Sequence, residues 1–211
     1  VIISEGGYIV TNNHVVDKAN KIEVTLNDNR SYEAKLIGTD PSTDLAVIKI
    51  EDEKLPFVAF ANSDDVKVGS WVLAVGTPFN LASTVTAGIV SAKARNINIL
   101  RDNYAIESFI QTNAAINRGN SGGALVDLNG DLIGINTAIA TPTGTYTGYA
   151  FAVPSNIVQK VTKDLIEYGT VQRGFLGVMI RNVDPVIAED KNLGTTTGVL
   201  VDSLTANSAA A

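Results

Sequence analysis

Up to residue 153 the chain is a series of short apolar runs cut by turn residues, and only then does its period change. Alternation with a period of two puts one face of a strand in the core and the other towards solvent. It predicts strands over residues 8–11, 21–26, 31–37, 45–50, 71–75, 83–91, 108–112, 124–128, 132–138 and 149–153. The run beginning at Asp44, Asp-Leu-Ala-Val-Ile-Lys-Ile, reads as a half-buried strand. Short, closely spaced strands without intervening helical patterns favour an antiparallel sandwich or barrel over βαβ units. Asn129-Gly130 between two apolar runs signals a hairpin, since both residues tolerate positive φ. From Ser155 to Tyr168 the apolar residues Ile157, Val158, Val161, Leu165 and Ile166 fall at helical spacing. Ser155 is placed to cap that helix and Gly169 to end it.

Composition narrows what such a fold can do. With 45% hydrophobic and 18% charged residues, the 211-residue chain has ample core for one large domain, or for one domain and part of another. No run of about 18 apolar residues is present, so no membrane-spanning helix is expected. The net charge is −6 and the basic residues are scattered singly, which leaves no nucleic-acid footprint. There is no cysteine and one histidine, so disulfides and the common zinc sites are excluded and a cofactor-free mechanism is expected. The opening Val1-Ile2-Ile3 reads as the middle of a strand with no legible signal peptide, and the expectation is that further chain precedes it. The ending Ala-Asn-Ser-Ala-Ala-Ala is equally abrupt.

Gly119-Asn120-Ser121-Gly122-Gly123 places a serine on backbone free to turn sharply. A serine hydroxyl needs a base to become a nucleophile, and His14 is the single imidazole. The same pattern fits an α/β-hydrolase elbow, but that esterase fold orders its triad Ser, acid, His, and no histidine follows Ser121. His first and Ser last is the chymotrypsin-like order. The acid then lies between them: Asp40, Asp44, Asp52, Asp64, Asp65 or Asp102. Asp44 is favoured because a carboxylate at the mouth of a strand can be held rigid and partly buried, as a group that orients a histidine must be. Taken singly, these residues read as a Gly-rich turn, a structural histidine and a strand-start aspartate. Their joint order is what points to catalysis.

Several segments carry a family resemblance. They are Thr11-Asn12-Asn13-His14-Val15-Val16, Asp44 to Ile50, Gly88-Ile89-Val90-Ser91-Ala92, Ile110-Gln111-Thr112, Ala115 to Leu125, and Leu132-Ile133-Gly134-Ile135-Asn136-Thr137. In this order the chain resembles the HtrA/Deg serine proteases, in their bacterial periplasmic branch, nearly end to end. The resemblance implies an all-β fold of two six-stranded antiparallel barrels (chymotrypsin-like) over residues 1–170, closed by a C-terminal helix. It also implies the beginning of a PDZ domain over 173–211, in which Phe175, Leu176, Gly177 and Val178 resemble the loop that grips a peptide's terminal carboxylate. It implies a Ser121–His14–Asp44 triad and an oxyanion hole from the backbone N–H groups of Gly119, Ser121 and Asn120. Thr137 is expected to hydrogen-bond Asp44. Ile116 and Ile139, with Ala138 nearby, are expected to line an apolar pocket for small aliphatic side chains, the other reading being that both isoleucines are core residues. Arg95 resembles a signal-sensing arginine, with a solvated surface charge as the alternative, and the Arg118-Gly119-Asn120 stretch is a natural control point.

The resemblance further implies periplasmic location, unfolded protein or peptide substrates, and a trimer or larger assembly. Two other uses stay open: a chaperone or peptide-binding scaffold with a silenced site, and a processing protease with a narrow regulatory substrate. The chain departs from the family at Asn113, where Asp is usual, and over Asn96 to Asn103, which is longer. The family's usual trimer-building N-terminal segment is absent from this sequence.

Overall fold

A computed structural model describes residues 1–77, 83–100, 105–117, 119–139 and 146–211. The chain divides into two compact units, Val1–Val171 and Gln172–Ala211. The first unit opens with β1 (Tyr8–Asn12), the one-turn helix α1 (Asn13–Val16), β2 (Ile22–Thr25), β3 (Ser31–Asp40) and β4 (Leu45–Lys49). These strands form an antiparallel four-stranded sheet in the order β1-β4-β3-β2. Then come β5 (Trp71–Gly76), β6 (Thr84–Arg95), β7 (Phe109–Thr112), β8 (Ala124–Val126), β9 (Leu132–Ile139) and β10 (Ala150–Pro154). They close into a barrel in the order β10-β7-β6-β5-β8-β9.

The strand period explains how one chain builds three apolar clusters. Along β10, Phe151 and Val153 face the cluster that also holds Val10, Leu45, Val47 and the helix residues Val158, Val161 and Leu165. The intervening Ala150 and Ala152 face the barrel interior with Val72, Val90, Ile110, Leu125 and Ile133. Along β10, then, the small residues take one face and the large ones the other, as the period of two dictates. Phe109 meets Phe151 edge-on, with ring centroids 6.2 Å apart. A third cluster, around Ile9, Ala46, Ile48 and Ile50, covers the other face of the first sheet.

Three sequence expectations need correction. The first half is not a closed six-stranded barrel: among the described residues it is an open four-stranded sheet. After Ile50 the charged stretch Glu51-Asp52-Glu53-Lys54-Leu55-Pro56 forms no strand and meets the N-terminal segment through isolated backbone bonds such as Leu55 N–H to Glu5 O at 3.3 Å. Next, β4 is not half-buried. It lies between β1 and β3 and is covered on both faces, Leu45 and Val47 on one side and Ala46 and Ile48 on the other. Finally, Ser155 does not cap α2 (Ser155–Tyr168): it is the first helical residue, and its hydroxyl donates to Ala61 O at 2.7 Å. The capping acceptor is Ser63 Oγ, which takes the Asn156 N–H at 3.2 Å. Gly169 ends the helix in the left-handed region (φ 74°), its N–H returning to Leu165 O at 3.0 Å. In the β8–β9 turn only Gly130 adopts positive φ (87°), and its N–H bonds Asp127 O at 3.1 Å.

The second unit holds β11 (Val178–Asn182), α3 (Pro185–Asp190) and β12 (Val199–Leu204). Its strands pair antiparallel. Asp184 caps α3 by accepting the Ile187 N–H at 2.8 Å. No helix among the described residues is long and apolar enough to cross a membrane.

Candidate active site

Asp44 ends the turn that follows β3 and precedes β4, and it holds a left-handed backbone (φ 56°), uncommon for a residue with a Cβ. Its carbonyl accepts two hydrogen bonds, from Asn13 N–H at 3.0 Å and from Asn12 Nδ2 at 3.0 Å. Its carboxylate is 7% exposed as a residue and receives three donors. His14 N–H reaches Oδ1 at 3.0 Å, and His14 Nδ1 lies 2.7 Å from Oδ2. The Thr137 hydroxyl, from β9 of the barrel, donates to Oδ2 at 2.6 Å. Burying a carboxylate is costly unless its lone pairs are used, and here donors from both halves of the unit use them.

Because a carboxylate only accepts, the short ring contact assigns the proton to His14 Nδ1 and leaves Nε2 as the free base in the neutral imidazole. The imidazole is half exposed, at 49% of its side-chain surface. Its pKa is raised above the ordinary histidine value: the Asp44 hydrogen bond raises it most, partial burial opposes, and the carboxylate charge adds to the rise.

The loop carrying Ser121 is locked by its glycines. Gly119 (φ 99°) and Gly122 (φ 78°) take conformations that disfavour side chains. A Cβ at Gly122 would lie 2.3 Å from Thr11 Oγ1, so the residue after Ser121 touches the strand that leads into His14. A Cβ at Gly76 would lie 2.7 Å from Asn120 Cα, and one at Gly123 2.1 Å from Val75 O. Asn136 brackets the loop. Its O accepts the Gly122 N–H at 2.9 Å, its N–H donates to Gly123 O at 2.9 Å, and its Nδ2 donates to Ala124 O at 3.0 Å. Consecutive residues of β9 therefore tether both partners, Asn136 the serine loop and Thr137 the carboxylate. The Asn120 N–H is occupied by Asn117 O at 3.0 Å.

The other sequence-selected residues fall as follows. Ile116, 2% exposed, lies in the barrel-interior cluster, and Ile139 packs against that same cluster. Ala138, one residue away on β9, faces the opposite cluster. Arg95 ends β6 and donates from Nε to Gln111 Oε1 at 3.1 Å. Arg118 lies outside the described residues. In the second unit Phe175 and Leu176 are exposed and Gly177 adopts φ 76° before Val178 begins β11. Asn113 Oδ1 accepts the Ile89 N–H at 2.7 Å, a task that needs only an oxygen and that Asp also performs.

Sequence reasoning passed over Asn12 and Glu107. Asn12 is fully buried, and its Nδ2 donates to Thr137 Oγ1 at 2.8 Å as well as to Asp44 O. Glu107 accepts four consecutive backbone N–H groups: Ile97 and Asn98 on Oε2 at 2.7 and 2.6 Å, and Ile99 and Leu100 on Oε1 at 2.7 Å each. Burial pushes this carboxyl's pKa up, but the four amides outweigh it and hold it below the usual range. The adjacent Ile106 N–H bonds Ser42 O, in the turn leading to Asp44, at 2.8 Å.

A closed six-stranded barrel beside a second β-sheet, with a buried His14–Asp44 pair bonded across to the barrel by Thr137 and a glycine-locked loop packed against the strand that leads into His14, is the arrangement of a trypsin-like peptidase. A profile of the trypsin-like peptidase domain matches residues 1–135, and the chain belongs to that family. Within it the chain falls in the HtrA/Deg branch. It is 51% identical over 209 residues to a probable periplasmic serine endoprotease DegP-like of Chlamydia trachomatis, covering 99% of this chain and 41% of that one. It is 49% identical over 212 residues to the periplasmic serine endoprotease DegP of Escherichia coli, covering 100% of this chain and 44% of that one. Among solved structures, the HtrA-type protease AlgW with a tripeptide matches with a TM-score of 0.87 at 48% identity, over 98% of this chain and 68% of that one. The chain thus spans less than half the length of these curated relatives.

Proposed function

We propose that this chain is a serine endopeptidase of the cell envelope that cleaves unfolded proteins. The observation that carries the reading is the buried Asp44 carboxylate, engaged at once by the His14 ring and by Thr137 from the barrel. Ser121 Oγ attacks the peptide carbonyl while His14 Nε2 takes its proton. The carbon–nitrogen bond then breaks and the amine leaves with the proton returned by His14, and water repeats the sequence on the acyl-enzyme. Asp44 holds the ring with Nε2 facing outward. Since the Asn120 N–H is engaged by Asn117 O, the Gly119 and Ser121 N–H groups are the donors proposed for the oxyanion.

Ile139, only partly buried against the barrel-interior cluster, is the side chain we read as lining an apolar pocket that selects Val, Ile or Ala before the scissile bond, with Ile116, 2% exposed, as a core residue beneath it. The second unit is read as the start of a PDZ domain. The names of the relatives support periplasmic location, and membership of the branch supports a homotrimer or larger assembly.

A fluorophosphonate probe tests the nucleophile. The protein should be labelled at Ser121, and Ser121→Ala should abolish labelling and lower casein cleavage by on the order of 10⁴–10⁶. Labelling or cleavage retained by Ser121→Ala would refute the assignment, and cleavage after Lys or Arg would refute the pocket.

A further inference from the structure

The catalytic reading leaves one buried side chain unexplained. Asn12 sits at the end of β1, two residues before His14, with no exposed surface. Its amide has one possible orientation. The Asp44 carbonyl, 3.0 Å away, can only accept, so the nitrogen must face it. The second N–H then points at Thr137 Oγ1, 2.8 Å away. With that lone pair taken, the Thr137 hydroxyl hydrogen is directed to its other close neighbour, Asp44 Oδ2 at 2.6 Å. One amide group thereby anchors the oxygen of a hydroxyl whose hydrogen goes to Asp44 and fixes the peptide carbonyl of a left-handed residue.

A second observation argues against a merely structural role. Asn12 Oδ1 is buried and has no donor among the described residues. An orphaned buried carbonyl is destabilising, and an apolar side chain of the same shape would avoid it. For packing alone, leucine would serve this position better than asparagine.

We infer that Asn12 is a positioning residue that acts through Thr137: it aims the Thr137 hydroxyl at Asp44 and so keeps the carboxylate in register with the His14 imidazole. Its consequence for rate rests on the serine-protease reading, but its consequence for His14 does not. Hydrogen-bonded chains of this kind polarise one another, so a donor two bonds away bears on the ring.

His14 is the chain's single histidine, so its imidazole resonances are unambiguous and its titration can be followed by NMR in the full chain. The variants are Asn12→Leu and Asn12→Ala, each in the native, Thr137→Ser and Thr137→Val backgrounds. Where the hydroxyl is present, both Asn12 substitutions should bring the His14 titration back towards the ordinary imidazole value. They should also slow phosphonate labelling of Ser121 by up to about 10²-fold, the loss that a small misplacement causes. In Thr137→Val only the smaller effect carried by the Asp44 carbonyl should remain. Asn12→Leu should unfold no earlier than the native protein, which separates the effect from misfolding.

An unchanged titration in Asn12→Leu, or a shift of equal size in Thr137→Val, overturns the inference. If the native chain takes no label at all, the protease reading falls, and the titrations still decide the role of Asn12.

Discussion

At the scale of single residues, His14 couples two opposing pH dependences. Its pKa is raised in the fold, first by the hydrogen bond to Asp44. A group raised above its unfolded value stabilises the fold below that unfolded value, about 6.5 for histidine, and loses this contribution as pH climbs through the folded value. The proposed mechanism needs the reverse, since in it only the neutral ring accepts a proton from Ser121. The pairing is therefore strongest where the enzyme is idle. The acid limb of kcat/KM for a peptide substrate should have its midpoint above pH 6.5, and a midpoint at or below that value would count against the pairing.

At the scale of elements, the serine loop depends on glycines that lie outside it as well as within it. Gly76 ends β5 and faces Asn120 with no room for a methyl group. Gly76→Ala should displace the loop, slow Ser121 labelling by roughly 10²-fold and cost about 1–3 kcal/mol of stability. Gly6 has nothing within 4 Å of its would-be Cβ, and Gly6→Ala should leave both quantities unchanged. Equal behaviour of the two variants, in labelling and in urea unfolding, would show that the contact at Gly76 is unimportant.

The same scale shows what could be read from the chain in advance. Strands and the long helix were legible because their signals are local, in a period of two and then of 3.6 residues, and α2 runs from Ser155 to Tyr168 as its spacing predicts. Acceptors that come from elsewhere in the chain were not legible. Nothing near Ser155 reveals that Ser63, more than 90 residues upstream, serves the first turn of α2. The link from Asn12 to Thr137 spans 125 residues, and no spacing rule encodes it. His14, Asp44 and Ser121 could be singled out because few residue types perform their chemistry. Asn12 is one of many asparagines, and only its buried surroundings distinguish it.

At the scale of the whole molecule, the two units are built to different standards. The first encloses a closed barrel, three apolar clusters and a 14-residue helix. The second has a single two-stranded sheet, with Met179, Ile180, Val199 and Val201 more than half exposed. A lone strand pair is marginal in water, whereas barrel strands open only with the global fold. Amide hydrogen exchange should be faster in β11 and β12 than in β9 and β10 by roughly 10²-fold or more. Comparable protection in the two pairs would show that the second unit draws support from something beyond its own sheet.

Glu107 carries a consequence of a different kind. Its carboxylate meets residues 97–100 only through their backbone N–H groups, so it is indifferent to what side chains those residues bear. Proline is the one residue that cannot answer such a grip. A single negative charge a few residues further along the chain thus insures the backbone of a segment whose Ile97 and Leu100 pack against the largest cluster and whose Asn98 takes the left-handed region (φ 53°).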